Sequence, residues 1–253
     1  MELVAITRRI AALTLVISIS ACATAEPGAD LSATDRNQGF NRAMLDFNMA
    51  LDRNVLRPVS QGYDFVTPTL VKHLLGNGFS HLDLPADFVN YLLQGEINLA
   101  LETLGRFTLN TVMGAGGLLD PATEFGLPKK NTDFGVTLGK HGVSEGDYWV
   151  LPIVGPKTTR DAFGGIVDLA MSPTTYIRFV APAVSPEAGI ALAVGEKIHE
   201  RDANDEFIDE LLYKSPDPYI SLRSVYLQHR RALVAGKDAG ADALPDIFDN
   251  IAN

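Results

Sequence analysis

The glycines of this 253-residue chain are concentrated in one stretch of the sequence: 12 of the 22 lie between residues 105 and 165. One long helix cannot accommodate this density, because each interior glycine costs roughly 1 kcal/mol relative to alanine. Aromatic residues that polar linkers lack are interspersed among them, namely Phe107, Phe125, Phe134, Tyr148 and Trp149. We therefore predict a folded, largely buried, irregular segment at the centre of the molecule, with helices around it.

The first 21 residues resemble the signal peptide of a bacterial lipoprotein. Two arginines precede an apolar run at residues 10–19, and Ser20 and Ala21 stand directly before the only cysteine, Cys22. This pattern predicts cleavage before Cys22 and lipidation of that residue, which would attach the chain stably to a membrane. The alternative is an ordinary secretory signal with an incidental cysteine. Because the chain has one cysteine, an intrachain disulfide and a cysteine-based zinc site are excluded.

Composition predicts one folded domain between two polar segments. The net charge of −10 disfavours nucleic acid as a partner, because binding to phosphates requires a basic face. We divide the chain into a signal peptide at 1–21, a lipidated tether at 22–37, a helical domain at 38–236 and an acidic C-terminal tail at 237–253.

Apolar residues recur at helical spacing through most of this domain. The first such stripe consists of Phe40, Met44, Phe47, Leu51 and Val55. We predict that this stripe faces the core and that a proline at position 58 ends the helix. Further helices are predicted at 63–84, interrupted by the glycines at 76 and 78, from 83 to 94, and at 96–112, 205–212 and 217–235.

The helix predicted at 96–112 carries two different faces. Ile97, Leu101, Leu104 and Phe107 lie on one side of it. Arg106 and Asn110 are four residues apart, so we expect them to present two hydrogen-bond donors together.

Residues 162–194 form the most apolar part of the domain and contain three charged residues, Asp168, Arg178 and Glu187. Prolines interrupt this region, and no apolar run in it reaches the eighteen or so residues that span a bilayer. It is compatible with a soluble helical core or with a region that sits within a membrane without crossing it.

One enzyme motif occurs literally, because Gly142-Val143-Ser144-Glu145-Gly146 matches G-x-S-x-G. A serine hydrolase needs a strand before the nucleophile and a helix after it. The residues after Ser144 favour extended structure, and the alternation of strands and helices typical of hydrolases is missing. We expect no enzymatic activity, and a lipid-anchored serine hydrolase is the alternative. The histidines show no metal-ligand spacing, so we also expect no metal site.

Several ordered blocks between residues 35 and 235 resemble the MlaA/VacJ family of outer-membrane lipoproteins. The N-terminal blocks are Gly39-Phe40-Asn41-Arg42-x-Met44-x-x-Phe47-Asn48, Arg57-Pro58-Val59 and Val89-Asn90-x-x-Leu93-Gln94-Gly95. The central and C-terminal blocks are Arg106-Phe107-x-Leu109-Asn110-Thr111, Gly114-x-Gly116-Gly117-x-x-Asp120, Phe134-Gly135-x-Thr137-Leu138-Gly139, Arg160-Asp161 and Asp217-Pro218-Tyr219.

This resemblance implies a mostly α-helical ring of short helices with little β structure, embedded in one leaflet around an amphipathic channel. It implies an outer-membrane lipoprotein on the periplasmic side that extracts mislocalised phospholipids from the outer leaflet and hands them to a soluble periplasmic phospholipid carrier. It further implies association with a trimeric porin and no cofactor. A purely structural, porin-associated lipoprotein is the second alternative.

Three sets of candidate site residues follow, beside lipidation at Cys22. Arg160, Asp161 and Asp168 are hypothesised to line the channel and contact headgroups, because an Arg-Asp pair opens the most apolar part of the chain; a structural ion pair is the alternative. The structural motif of the resemblance comprises Phe40, Asn41, Arg42, Phe47, Asn48, Arg106 and Asn110. A docking segment for the carrier is predicted in the tail at Leu244, Ile247 and Phe248.

Overall fold

The computed structural model describes residues 35–172 and 186–236. Its helices are α1 (Gln38–Leu51), α2 (Arg57–Val66), α3 (Thr69–Leu93), α4 (Ile97–Val112), α5 (Pro121–Glu124), α6 (Phe134–Lys140), α7 (Thr159–Met171), α8 (Pro186–Ala203), α9 (Asp205–Ile208) and α10 (Pro218–Val234). π-Helical turns occupy Asp52–Leu56 and Asp209–Lys214, and the strands are β1 (Tyr148–Leu151) and β2 (Gly155–Thr158). The prediction of a mostly α-helical fold with little β structure is confirmed.

Pro58 does not end the first helix, contrary to the prediction from the sequence. The π-helical turn Asp52–Leu56 connects α1 directly to α2, and Pro58 stands in the first turn of α2. Because the helix is continuous there, Pro58 removes one backbone N–H from it, directly after a π-helical turn in which the N–H of Arg57 bonds to the carbonyl of Asp52. The chain therefore remains helical from residue 38 to residue 66.

The glycines near residue 76 do not end the second helix either. Helix α3 continues through Gly76 and through Pro85 to Leu93. A Cβ atom at residue 76 would lie 2.7 Å from Nε2 of His199, so glycine here allows α8 to pack closely on α3. Tertiary packing thus outweighs the low helix propensity of glycine.

The glycine-rich segment is more regular than predicted, because it contains α5, α6 and an antiparallel hairpin, and it is more exposed than predicted, since Phe125 is 63% exposed. In the hairpin, Tyr148 pairs with Thr158 and Leu151 pairs with Gly155. One close backbone contact requires glycine: a Cβ atom at Gly164 in α7 would lie 2.4 Å from the nitrogen of Gly135 in α6.

The main apolar cluster joins the hairpin to the helices before and after it. It contains Leu45 of α1, Tyr148 and Val150 of β1, and Tyr219 and Leu227 of α10. This part of the glycine-rich segment is therefore central, as the sequence predicted.

Asn41 fixes β1 against α1. Its buried side-chain amide donates to the carbonyl oxygen of Tyr148 at 2.9 Å and accepts from the N–H of Val150 at 2.8 Å. The outer edge of β1 is thereby satisfied by a side chain rather than by another strand.

Most of the first apolar stripe does not face the core, which corrects the prediction made from its spacing, although Met44 packs against the main apolar cluster. Phe40 and Phe47 are each 49% exposed and Val55 is 52% exposed, whereas Asn41 and Leu45 are buried. The helical periodicity was assigned correctly, but the side of the helix that packs inward was not. None of the helices in the described ranges combines the length and apolar character needed to cross a membrane.

Replacement of Asn41 with alanine is expected to lower the free energy of unfolding by about 2 kcal/mol, because it leaves buried backbone groups of β1 without partners. Chemical denaturation in detergent measures this change. The control is Asn54→Ala, which removes an exposed amide bound only to the carbonyl of Ala50 and should change stability by less than about 0.5 kcal/mol. Equal effects of the two substitutions would contradict the role of Asn41.

Candidate functional site

Helix α4 has its apolar face outward and its polar face inward, the reverse of a helix in a soluble protein. Ile97, Leu101 and Leu104 are 53%, 60% and 44% exposed. Arg106 and Asn110 are each 4% exposed and face the interior of the molecule. The two faces predicted from the sequence are therefore real, and their orientation suits an apolar surrounding.

The same inversion occurs in a second helix of the described part of the chain. Helix α7 buries Arg160 and Asp161 and exposes Phe163, Ile166 and Leu169. Buried polar and charged side chains outnumber buried apolar ones across the described residues. The buried polar set is Asn41, Asp52, Ser60, His81, Asp87, Asn90, Thr103, Arg106, Asn110, Thr137, Thr158, Arg160, Asp161, Arg201, Arg223 and Arg230.

Arg106 and Asn110 meet at one carboxylate, as their spacing predicted. Arg106 donates to Oδ2 of Asp120 at 2.9 Å, and Asn110 donates to Oδ1 of Asp120 at 2.8 Å. Partial burial alone would raise the pKa of Asp120, but hydrogen bonds from Thr123, Asn110 and Arg106 lower it overall. This cluster closes the glycine turn that follows α4.

Asp161 lies in a buried ion network centred on Arg230. Arg230 donates to both oxygens of Asp161, at 2.8 and 3.0 Å, and to Oδ1 of Asp133 at 2.8 Å. Tyr226 donates to Oδ2 of Asp161 at 2.7 Å. Burial would raise the pKa of Asp161, but the bonds from Arg230 and Tyr226 hold it at about 2. The network connects α6, α7 and α10.

Asp168 lies two turns after Asp161 on the same side of α7, next to this network. It accepts from the amide of Asn90 at 3.1 Å and from the N–H of Phe134 at 3.0 Å. Burial raises the pKa of Asp168. Asn90 also accepts from the hydroxyl of Thr137 at 2.8 Å, so α3, α6 and α7 share one polar contact region.

The structure brings Arg160 and Asp161 together in the ion pair of 3.2 Å that was the alternative to a channel role. It places Asp168 apart from them on the same helix, bound to other partners. The assignment of these three residues to a channel stays a prediction.

The remaining motif residues hold the N-terminal part of the fold together. Arg42 forms an ion pair of 2.7 Å with Asp217, and its guanidinium lies 4.6 Å from the centre of the Tyr219 ring. Asn48 binds the hairpin turn, because it donates to the carbonyl of Leu151 at 2.9 Å and accepts from the N–H of Ile153 at 2.7 Å. Phe40 and Phe47 lie on the exposed side of the same helix.

Sequence reasoning missed a second buried ion network. Arg201 of α8 is 2% exposed and donates to Asp52 at 2.8 Å and to Asp209 at 3.0 Å. Asp52 also accepts from the hydroxyl of Tyr213 at 2.6 Å. Asp52 lies 149 residues before Arg201, so no spacing could have identified that partner, whereas Asp209 follows Arg201 by only eight residues.

The serine motif does not have the geometry of a nucleophile elbow. Ser144 is exposed in a loop, and the next regular element is strand β1 rather than a helix. Asp161, which follows Ser144 in the chain order Ser, Asp, His of a hydrolase triad, is already bound by Arg230 and Tyr226. The described residues also contain no group of His, Cys, Asp or Glu that could hold a metal ion.

Some predicted site residues lie outside the described ranges. They are Cys22 and the tail residues Leu244, Ile247 and Phe248.

Removing the guanidinium of Arg230, at the centre of the network with Asp161 and Asp133, should lower the stability of the fold. We expect Arg230→Met to lower the free energy of unfolding by about 3–5 kcal/mol, because two carboxylates lose their buried partner. The control Arg231→Met removes an adjacent, half-exposed side chain paired with Glu145 and should cost less than about 1 kcal/mol. Chemical denaturation of both variants measures the difference.

The pH dependence of the free energy of unfolding should also differ between the wild type and Arg230→Met. The pKa of Asp161 is lowered in the folded state, so its contribution is present above the unfolded value of 3.8 and is lost as pH falls towards 2. In Arg230→Met, most of this loss of stability at low pH should be absent. A variant that retained the wild-type acid profile would contradict the network.

Comparison with known proteins agrees with these features. The profile of the MlaA lipoprotein family matches residues 33–233. The intermembrane phospholipid transport system lipoprotein MlaA of Haemophilus influenzae is 33% identical over 232 residues, covering 86% of each chain. That of Escherichia coli is 31% identical over 251 residues, covering 94% of each chain. An uncharacterised protein of Rickettsia felis is 34% identical over 205 residues, 81% of this chain and 79% of that one.

A solved structure is similar across most of the described fold. It comes from work on the structural basis for maintenance of bacterial outer membrane lipid asymmetry, and its sequence is 35% identical to this chain. The superposition has a TM-score of 0.69 and covers 79% of this chain and 99% of the other. The chain therefore belongs to the MlaA lipoprotein family, and it is not an enzyme.

Proposed function

We propose that this protein is an outer-membrane lipoprotein of intermembrane phospholipid transport. It takes phospholipids misplaced in the outer leaflet, carries them through an amphipathic channel and passes them to a soluble periplasmic carrier. The names of the Haemophilus influenzae and Escherichia coli relatives support the transport of phospholipid between membranes. The work on the similar solved structure supports a role in outer-membrane lipid asymmetry.

The inverted helix α4 is the observation that carries this proposal. An exposed face of Ile97, Leu101 and Leu104 is unfavourable in water but favourable against acyl chains. Arg106 on its opposite face would be expensive in hydrocarbon unless the fold enclosed it and satisfied its hydrogen bonds. The fold encloses Arg106, which is 4% exposed, and the two terminal nitrogens of its guanidinium donate to Thr123, Leu127 and Asp120, while Nε makes no hydrogen bond within the described residues.

A position within one leaflet is consistent with the helices. The described helices are too short or too polar to cross a bilayer, yet α3, α4 and α7 all expose apolar side chains. Lipidation at Cys22 would hold the N-terminal tether in the same leaflet. We propose that these helices form a ring with their apolar sides towards the lipid.

Polar groups inside such a ring would let a headgroup pass an apolar layer. We propose that Arg160, Asp161 and Asp168 contribute to this path, since they lie on the inward side of α7 near Arg230. A zwitterionic headgroup matches a surface that carries charges of both signs. No bond is made or broken in the lipid, and no cofactor is needed.

The proposed partners are a trimeric porin at the membrane side and a soluble carrier at the periplasmic side. Docking of the carrier to Leu244, Ile247 and Phe248 remains a prediction from the sequence. A purely structural association with the porin is the second candidate function. It differs from transport in one respect, because loss of lipid movement without loss of porin binding is possible only for a transporter.

The phospholipid content of the outer leaflet in cells lacking this protein tests the proposal. Wild type and Ser144→Ala should both restore lipid asymmetry, because the serine is exposed and plays no part in transport. Asp161→Asn should restore it less than half as well, since the inward charge pattern of α7 is changed. Immunoblotting and porin co-purification establish that each variant is present and assembled.

Two results would contradict different parts of this proposal. Full rescue by Asp161→Asn would remove that residue from the lipid path. Normal lipid asymmetry in cells without the protein, or failure of Ser144→Ala alone, would contradict transport itself.

A further inference from the structure

Residues 127–133 form a strap that connects the two polar clusters of the interior. At one end of the strap, the carbonyl of Leu127 accepts a hydrogen bond from Arg106. At the other end, Asp133 binds Arg230 and caps α6 by accepting from the N–H of Val136 at 2.8 Å. The strap has no secondary structure of its own, so side chains from neighbouring helices hold it in place.

Helix α3 holds the strap at Thr132 through two side chains on one face. Asp87 accepts from the N–H of Thr132 at 3.1 Å, and Gln94 donates to the hydroxyl of Thr132 at 2.8 Å. Asp87 is 3% exposed, and its Oδ2 atom makes no hydrogen bond within the described part of the chain. This carboxyl group is therefore buried and only half satisfied.

The charges around Asp87 are mostly of its own sign. Asp83 lies one turn earlier on α3, Asp133 lies on the strap, and Asp168 lies on α7; all three disfavour a second negative charge. Arg230 of α10 is bound to Asp133 and Asp161 rather than to Asp87. An ionised Asp87 would thus be a buried anion without a cationic partner, which is strongly unfavourable.

We propose that the protonation state of Asp87 controls the attachment of the strap: neutral Asp87 keeps residues 127–133 on α3, and loss of its proton releases them. The proton leaves as water or buffer base takes it up, so no covalent step is involved. Release would loosen the connection between the Arg106 and Arg230 clusters without breaking either one.

The direction of the pH effect follows from the same environment. Burial, followed by the neighbouring carboxylates, raises the pKa of Asp87 to about 7, although the bond from Thr132 opposes this. An acid whose pKa is raised on folding stabilises the folded state below its unfolded value, here 3.8. That contribution is lost as pH rises through about 7. The strap should therefore be bound to α3 more stably at pH 6 than at pH 8.5.

Hydrogen exchange of the full-length protein in detergent, followed by mass spectrometry, tests this inference. For peptides covering 127–133, the protection factor, corrected for the intrinsic exchange rate, should fall about tenfold or more between pH 6 and pH 8.5. Asp87→Asn keeps the size of the side chain and an oxygen acceptor for Thr132 but cannot ionise. It should abolish the pH-dependent fall.

Two further variants keep the test informative if Asp87→Asn does not fold. Asp83→Asn removes a neighbouring negative charge at an exposed position and should move the midpoint of the fall to lower pH. Asp46→Asn removes an exposed carboxylate on α1 and should leave the midpoint unchanged.

A wild-type protection factor that does not change with pH would overturn the inference, as would an unchanged fall in Asp87→Asn. An equal shift in Asp83→Asn and Asp46→Asn would overturn it too. Because the readout is local protection rather than lipid movement, its outcome is independent of the proposed transport function.

Discussion

A helix that exposes its apolar face and buries its polar face is stable only where the surrounding medium is apolar. Helix α4 imposes this constraint most clearly, with Leu101 60% exposed and Arg106 4% exposed. In water, the exposed face would favour association or refolding. In a leaflet, the same face is solvated by acyl chains, and the interior must then satisfy every polar group that turns inward. The rest of the fold meets most of that second demand, although Oδ2 of Asp87 and Nε of Arg106 make no hydrogen bond within the described residues.

The interior satisfies its polar groups through connected charge pairs rather than through a large apolar core. Arg230 links α6, α7 and α10, and Arg201 links α8 to the π-helical turn at Asp52. Such pairs add little to the free energy of unfolding when they are exposed to water, but breaking a buried pair lowers it strongly. They therefore specify which helices are neighbours, while the apolar cluster of β1, α1 and α10 supplies burial in one region.

Periodicity in the sequence predicted helices well but could not say which side of a helix faces inward. For Phe40 and Phe47 the apolar side was assumed to be buried, as it is in soluble proteins, and the structure shows it exposed. Local spacing correctly brought Arg106 and Asn110 together on one carboxylate. Local signals failed at Pro58 and Gly76, where a π-helical turn and contact with His199 keep the chain helical.

Pairs distant in sequence could not be predicted at all. Arg201 and Asp52 are 149 residues apart, and Arg230 and Asp133 are 97 apart. The family resemblance and the start of the most apolar region marked Arg160 and Asp161 as important, but neither revealed Arg230, the partner of Asp161. The half-satisfied carboxyl of Asp87 was likewise visible only in three dimensions, because its unfavourable neighbours come from α3, α7 and the strap.

The most direct test of the central claim measures what surrounds the exposed face of α4. A spin label at Leu101, in the lipidated protein reconstituted in bilayers, should relax more strongly with oxygen than with a water-soluble nickel complex. A label at Lys197, an exposed polar position on α8, is the comparison and should show the reverse. If the label at Leu101 also responded mainly to the nickel complex, α4 would face water, and the inverted fold would not be explained by lipid.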